Sequence, residues 1–201
     1  FGIACAGSRL ITGALTADRA LGLLDADGVT MAEAMRTAGR DPRHLGPDDE
    51  TLRRVSTFVE LHVEQGRALA DPETYEQASS AVAVGSEIWP HGRWRLEVLG
   101  TANHAGTTRL EDRDDAMLGH AAMVLAARRV ATIGKIRVEP NGVNAIASHV
   151  TGWLDVRGAD EDAVRATVND LTAEAGEHHA TLVEESWTGT TTFDHMLVDR
   201  L

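Results

Sequence analysis

Hydrophobic and polar positions along the chain follow two periods, and the switch between them marks out the elements. Over 93–99, Trp94, Leu96 and Val98 alternate with polar neighbours, the period of two of a strand with one buried face. Over 114–130, Met117, Ala121, Val124 and Leu125 fall on one helical stripe. Alternation returns over 133–139 through Ile136 and Val138, and over 149–157 through Val150, Gly152, Leu154 and Val156. Asp160 then caps a helix with Val164, Val168, Leu171 and Ala175 in register. Glu161 and Asp162 suit the positive end of its dipole, and His178 and His179 the negative end. Residues 181–186 supply a last strand. The order β-α-β-β-α-β predicts an antiparallel four-stranded sheet with both helices on one face. Its edge strand or outer helix faces are natural places for a partner subunit.

The section before Gly92 is less regular. Thr30-Met31-Ala32-Glu33 has the spacing of a capping box, and Met31, Ala34, Met35 and Ala38 give one apolar face. A short helix is therefore predicted over 31–38, stopped by Gly39. Residues 40–50, with Pro42, Gly46 and Pro47, read as a polar loop. In Phe58–Gly66, Val59, Leu61 and Val63 alternate with Glu60, His62 and Glu64. That pattern predicts a strand whose polar face sets an imidazole between two carboxylates. Such a face is either simply solvated or a place for a divalent ion.

Composition narrows the function classes. The 201 residues carry 31 acidic side chains against 19 Lys and Arg, a formal net charge of −12, which disfavours nucleic acid and anionic lipid as partners. No run of about 18 apolar residues crosses a bilayer, and Phe1–Leu15 lacks the layout of a secretory signal. The single cysteine, Cys5, allows no internal disulfide, suits a reducing cytoplasm, and reads as a small buried packing residue. The start at Phe1 and the stop at Leu201 inside a helical pattern read as a piece of something longer.

Three loops concentrate polar groups: Asn103–Thr108, Pro140–Asn144, and the strand end at Asp155 and Arg157. Turn chemistry accounts for Asn141-Gly142, a common hairpin pair. His104, Asn144 and Arg157 together suit a small anionic substrate. Arg offers a planar fork to a carboxylate, Asn both a donor and an acceptor, and His a proton for a developing oxyanion.

Five segments in this order, FVELHVEQG (58–66), GTANHAGTT (100–108), RDDA (113–116), PNGVNAI (140–146) and DVR (155–157), resemble the amidase/hydantoinase/carbamoylase branch of the dinuclear-metal aminoacylase-like hydrolases. That branch includes N-carbamoyl-L-amino-acid hydrolases, allantoate amidohydrolases and β-ureidopropionases. FGIACAGSRLITGAL (1–15) looks like the segment after the family's Glu-Glu-Gly-Ser motif. The resemblance implies an α/β fold: a metal-binding domain partly present in 1–88, an inserted α+β, ferredoxin-like lid and dimerisation domain over 89–190, and a return into the first domain over 191–201. It implies hydrolysis of a linear amide or ureido C–N bond in a small carboxylate substrate by a homodimer holding two divalent ions, zinc or manganese, cobalt or nickel.

Residue by residue, the resemblance makes His62 a metal ligand and Gln65 a pocket residue. His104 becomes the lid histidine that reaches across a dimer to polarise the scissile carbonyl, and Asn144 and Arg157 the holders of the substrate carboxylate. The family's first metal histidine, bridging aspartate and Glu-Glu pair would precede Phe1, and a last metal histidine would follow Leu201, so the 201 residues alone are expected to be inactive. His44, His91, His120 and His195 lie outside those motifs and read as surface or packing residues. Arg109 and Ala147 stand where the family commonly has proline. Three other readings stay open: a peptidase or aminoacylase of the same superfamily, a non-catalytic dimerising module, and a plain binding module.

Overall fold

The computed structural model describes residues 1–3, 5–67, 69 and 82–201, which fall into two compact units, Phe1–Ala78 and Ser79–Leu201.

The described residues of the first unit include the short helices α1 (Ala6–Ile11), α2 (Ala17–Leu21), α3 (Met31–Thr37) and α4 (Asp49–Leu52), with a 3-10 turn over Pro42–His44. Leu10, Leu15 and Ala20 form its small core, with Ile3, Ala6, Met31 and Leu45 packed around them. The predicted capping box at α3 is present. The Thr30 hydroxyl accepts from the Glu33 N–H, and the Glu33 carboxylate accepts from the Thr30 N–H. The Thr30 hydroxyl also donates to the Glu33 carboxylate at 2.6 Å, and this bond, with the one from the Thr30 N–H, holds the Glu33 carboxyl below the usual carboxylate range. Gly39, at φ +70°, supplies the left-handed stop. Cys5 is exposed, not a packing residue.

The strand expected over Phe58–Gly66 does not form. The segment is irregular, and its apolar alternates are in solvent: Leu61 is 92% exposed and Val63 83%. Period-two patterning specifies one face of a strand, but the strand itself needs a neighbour's N–H and C=O groups. Among the described residues, every strand lies in the other unit.

The second unit follows the predicted order. Strand β1 (Glu87–Ile88) is followed by β2 (His91–Leu99), α5 (Ala116–Ala127), β3 (Ala131–Glu139), β4 (His149–Arg157), α6 (Glu161–Gly176), β5 (Ala180–Thr188), β6 (Thr191–Thr192) and α7 (His195–Val198). The four long strands form one antiparallel sheet in the order β3-β4-β2-β5. Trp94, Leu96 and Val98 of β2 stand level with Leu154, Gly152 and Val150 of β4 and share a core with Val164, Val168, Leu171 and Ala175 of α6. That α6 face is the one the sequence marked out, and Asp160 caps it by accepting from the Ala163 N–H. The two-residue strands β1 and β6 pair with each other, so the chain enters and leaves the four-stranded sheet side by side.

Two details of this unit differ from expectation. Helix α5 buries Ala116, His120, Met123 and Ala127, whereas Ala121 and Leu125 of the predicted stripe face solvent. The helix is apolar almost all round, so periodicity could not fix its phase. His120 then reaches the sheet beside Gly152: a Cβ at that glycine would stand 2.7 Å from the imidazole Nε2. Along β3 a bulge between Ile133 and Lys135 shifts the register, and Ile136 stays half-exposed on this edge strand. No helix among the described residues is long and apolar enough to cross a membrane.

Candidate functional site

The site is built on the loop between β2 and α5 and the connection between β3 and β4. Asn141 adopts a left-handed φ of +56°, but the connection runs from 140 to 148 and is no two-residue hairpin. Its far side lies against the β2–α5 loop. The Ala105 N–H donates to the Asn144 carbonyl at 2.8 Å, and the Ile146 N–H to the Asn103 carbonyl at 2.8 Å. This short ladder sets His104 opposite Ala145. Ala102, Asn103, His104, Pro140, Asn144 and Ala145 line an open cavity of about 300 Å³.

His104 is fixed from both ends of its ring. The Gly106 N–H donates to Nδ1 at 3.0 Å, and a backbone N–H cannot accept. The neutral imidazole therefore carries its proton on Nε2. The Asn144 amide nitrogen, Nδ2, stands 3.1 Å from Nε2; turned over, the same amide presents its oxygen to an Nε2–H. A Cβ on residue 106 would come within 3.0 Å of the ring's Cε1, so glycine there lets the imidazole lie flat on the turn. The result is an exposed imidazole at a groove, its Nε2 beside an amide able to donate or accept.

Arg157 is not part of this group. It ends β4 and pairs with Asp155, Nε to Oδ1 at 2.7 Å, while Arg93 approaches the other oxygen of Asp155 at 3.7 Å. Asn144 precedes the opposite end of β4, and a nine-residue strand at ~3.3 Å per residue separates its ends by about 26 Å. Arg157 lies instead in a second open cavity of about 290 Å³ with Arg128, Arg129 and Thr132.

His62 and Gln65 are in the other unit, on the exposed segment. The His62 side chain is 76% exposed and its Nε2 is 3.1 Å from Glu60. Among the described residues no group of three His, Cys, Asp or Glu side chains could hold a metal ion. One imidazole beside a carboxylate falls short of the donor set a tight divalent site needs, so the pair of ions implied by the resemblance does not fit these residues alone. His44 and His195 are exposed, His91 meets the Trp89 carbonyl through Nδ1 at 2.9 Å, and His120 is a core residue.

Sequence reasoning gave no role to Arg113 or Gly106, which anchor the His104 turn. Both lie in quoted motifs, but their work is with backbone atoms, which residue spacing does not reveal.

An α/β chain with a four-stranded antiparallel sheet between paired entry and exit strands, and a histidine–asparagine pair on its loops, is the class of protein this fold and site define. No family model matches the chain. Curated relatives do. It is 34% identical over 181 residues to an N-carbamoyl-L-amino-acid amidohydrolase of Paenarthrobacter aurescens, covering 85% of this chain and 42% of the relative. It is 36% identical over 159 residues to a Geobacillus stearothermophilus protein of the same activity, covering 75% and 37%. Further relatives are named allantoate amidohydrolase and ureidoglycolate hydrolase. Among solved structures, the crystal structure of AtUAH in complex with (S)-hydroxyglycine superposes with a TM-score of 0.79 at 25% identity, covering 99% of this chain and 51% of that one. The chain is similar to these amidohydrolases and to a hydantoinase/carbamoylase family amidase of Burkholderia ambifaria (29% identity, TM-score 0.60), and it spans about two fifths of the length of the first curated relatives it matches.

Proposed function

We propose that the protein hydrolyses a linear amide or ureido C–N bond of a small carboxylate substrate, an N-carbamoyl amino acid or an allantoate-like compound. The observation that carries this reading is the His104–Asn144 pair at the groove, its Nε2–H held as a donor by the Gly106 N–H at Nδ1. A donor so fixed can meet the oxygen of a carbonyl as charge builds on it, without reorganising at the moment of reaction. Asn144 and Arg157 supply the amide and the fork that hold a carboxylate. From the resemblance, Gln65 is a substrate-binding residue and His62 one donor to a divalent ion. No step here is routed through that ion, because the described residues do not complete its site.

The separation of Arg157 from His104 and Asn144 supports a homodimer. One small ligand does not span about 26 Å of strand, but two copies can bring the His104 end of one sheet to the Arg157 end of the other. The paired β1 and β6 support the reading of 89–190 as an inserted lid, since a chain that enters and leaves side by side can interrupt another domain with little disturbance. A reducing cytoplasm suits the single thiol.

The test measures ammonia release from N-carbamoyl-L-amino acids and allantoate against N-acyl amino acids and dipeptides, with light scattering for the dimer. It uses the 201-residue chain and a version extended to the length of its relatives. His104→Ala is expected to lower kcat far more than it raises KM; little change in kcat removes the polarising role. Arg157→Lys is expected to raise KM for the carboxylate substrate, because an ammonium lacks the fork; an unchanged KM counts against it. Turnover of dipeptides or acyl amino acids alone moves the protein to the peptidase or aminoacylase reading.

A further inference from the structure

We propose that Arg113 is the positioning residue for His104, an inference that rests on the proposed role of His104 as the group that polarises the substrate. The turn after His104 folds around one atom, the His104 carbonyl oxygen. It accepts from the Thr107 N–H at 3.2 Å, the Thr108 N–H at 3.1 Å and the Thr108 hydroxyl at 2.9 Å. The same turn directs the Gly106 N–H at Nδ1. It lies on an exposed loop, and its internal bonds alone would leave it free to open to water.

Arg113 closes it from outside. Its Nη2 donates to the Ala105 carbonyl at 2.6 Å and its Nε to the Thr108 carbonyl at 3.2 Å, so one half-buried guanidinium ties together the two ends of the turn. The rigid fork suits the task, because two carbonyls at a fixed spacing match two N–H groups of one plane. The neighbouring acids do not compete for it. Asp114 takes the Thr101 hydroxyl at 3.1 Å through its side chain and the Thr101 N–H at 2.7 Å through its carbonyl. Asp115 caps α5 by accepting from the Met117 N–H at 3.0 Å. The Arg-Asp-Asp run thus fastens the loop near both ends and starts the helix behind it. Arg113 itself meets no substrate; it sets where the Nε2–H of His104 points.

The test uses amide hydrogen exchange and nitrogen NMR of the histidine rings in the 201-residue chain, comparing wild type with Arg113→Gln and Arg113→Lys. In Arg113→Gln, exchange at Gly106 and Thr108 is expected to quicken about tenfold or more. The His104 ring signals are expected to move toward those of an unrestrained histidine, while the Leu96 and Val150 amides keep their rates. Arg113→Lys, with charge but no fork, is expected to fall between the two, and it carries the test alone if the glutamine variant does not fold. Unchanged Gly106 exchange and ring signals overturn the proposal. An equal rise at Leu96 and Val150 overturns it too, by making Arg113 a general support of the fold. An ordered His104 in a protein whose activity survives His104→Ala would instead refute the catalytic reading and leave the anchoring intact.

Discussion

Acid should loosen the four-stranded unit through one side chain, His120. Its imidazole is 4% exposed between α5 and the sheet, and Nε2 has no hydrogen-bond partner. Burial favours the neutral ring and holds its pKa below the ordinary histidine range. In the unfolded chain the same ring takes a proton near pH 6.5. Between the folded and unfolded values the unfolded state binds the extra proton, so stability falls as pH drops below about 6.5, by up to ~1.4 kcal/mol per pH unit. Above that pH the contribution is fully present. His120→Leu removes the titration and the unpaired nitrogen, whose desolvation costs about 1–3 kcal/mol, while keeping a side chain of similar bulk. The variant should therefore match or exceed wild type by about 1 kcal/mol at pH 7.5, with an advantage that grows by up to ~1.4 kcal/mol at pH 5.5. Urea unfolding followed by tryptophan fluorescence reads this unit selectively, because Trp89, Trp94, Trp153 and Trp187 all belong to it. Other acid-linked groups cancel in the difference between the two proteins. A difference that stays flat from pH 7.5 to 5.5, or that shrinks, refutes the assignment of His120 as a neutral core residue.

Three further outcomes follow from single contacts. Gly152→Ala puts a methyl 2.7 Å from His120 Nε2 and should cost about 1–3 kcal/mol by urea unfolding, most of it recovered when His120 is also alanine. Gly106→Ala should displace the His104 ring, seen as a change in its NMR signals, while leaving the unfolding free energy within about 0.5 kcal/mol of wild type; an unmoved ring would contradict the close packing at this turn. Thr30→Ala removes one half of the capping box and should cost the first unit about 1 kcal/mol, read as faster amide exchange across α3 with no change in tryptophan fluorescence.

How much of the fold was legible depended on how many faces each element buries. Helix α6 has one buried stripe and a charged remainder, so its periodicity named Val164, Val168, Leu171 and Ala175 directly. Helix α5 offers apolar residues in nearly every direction. Its buried set turned instead on His120, a polar residue that patterning assigns to no face and that fits only because residue 152 has no side chain. The β2 and β4 strands are legible for the reason α6 is: each has an inward apolar row, and the rows match across the sheet. Phe58–Gly66 had an equally clear alternation and formed no strand. The difference lies in pairing, since alternation is a property of one segment and a ladder is a property of two.

The same distinction governs the site. Residue type marks His104 and Asn144 as chemistry, and backbone pairing between their loops, which spacing does not reveal, joins them across forty positions of sequence. Residue type also groups Arg157 with them for its fork, but cannot say that a full strand lies between. A carboxylate grip needs the fork within hydrogen-bond reach of the same ligand, and each end of β4 carries only half of what the proposed substrate requires. Strand length thus turns a list of plausible residues into a statement about assembly: if His104 and Arg157 serve one substrate, they come from different copies of the chain. Mixing a His104→Ala chain with an Arg157→Ala chain should then restore about a quarter of wild-type turnover, since random pairing makes half the dimers mixed and each mixed dimer holds one intact site of two. No recovery on mixing, with dimers confirmed by light scattering, would place both residues in a site served by one chain.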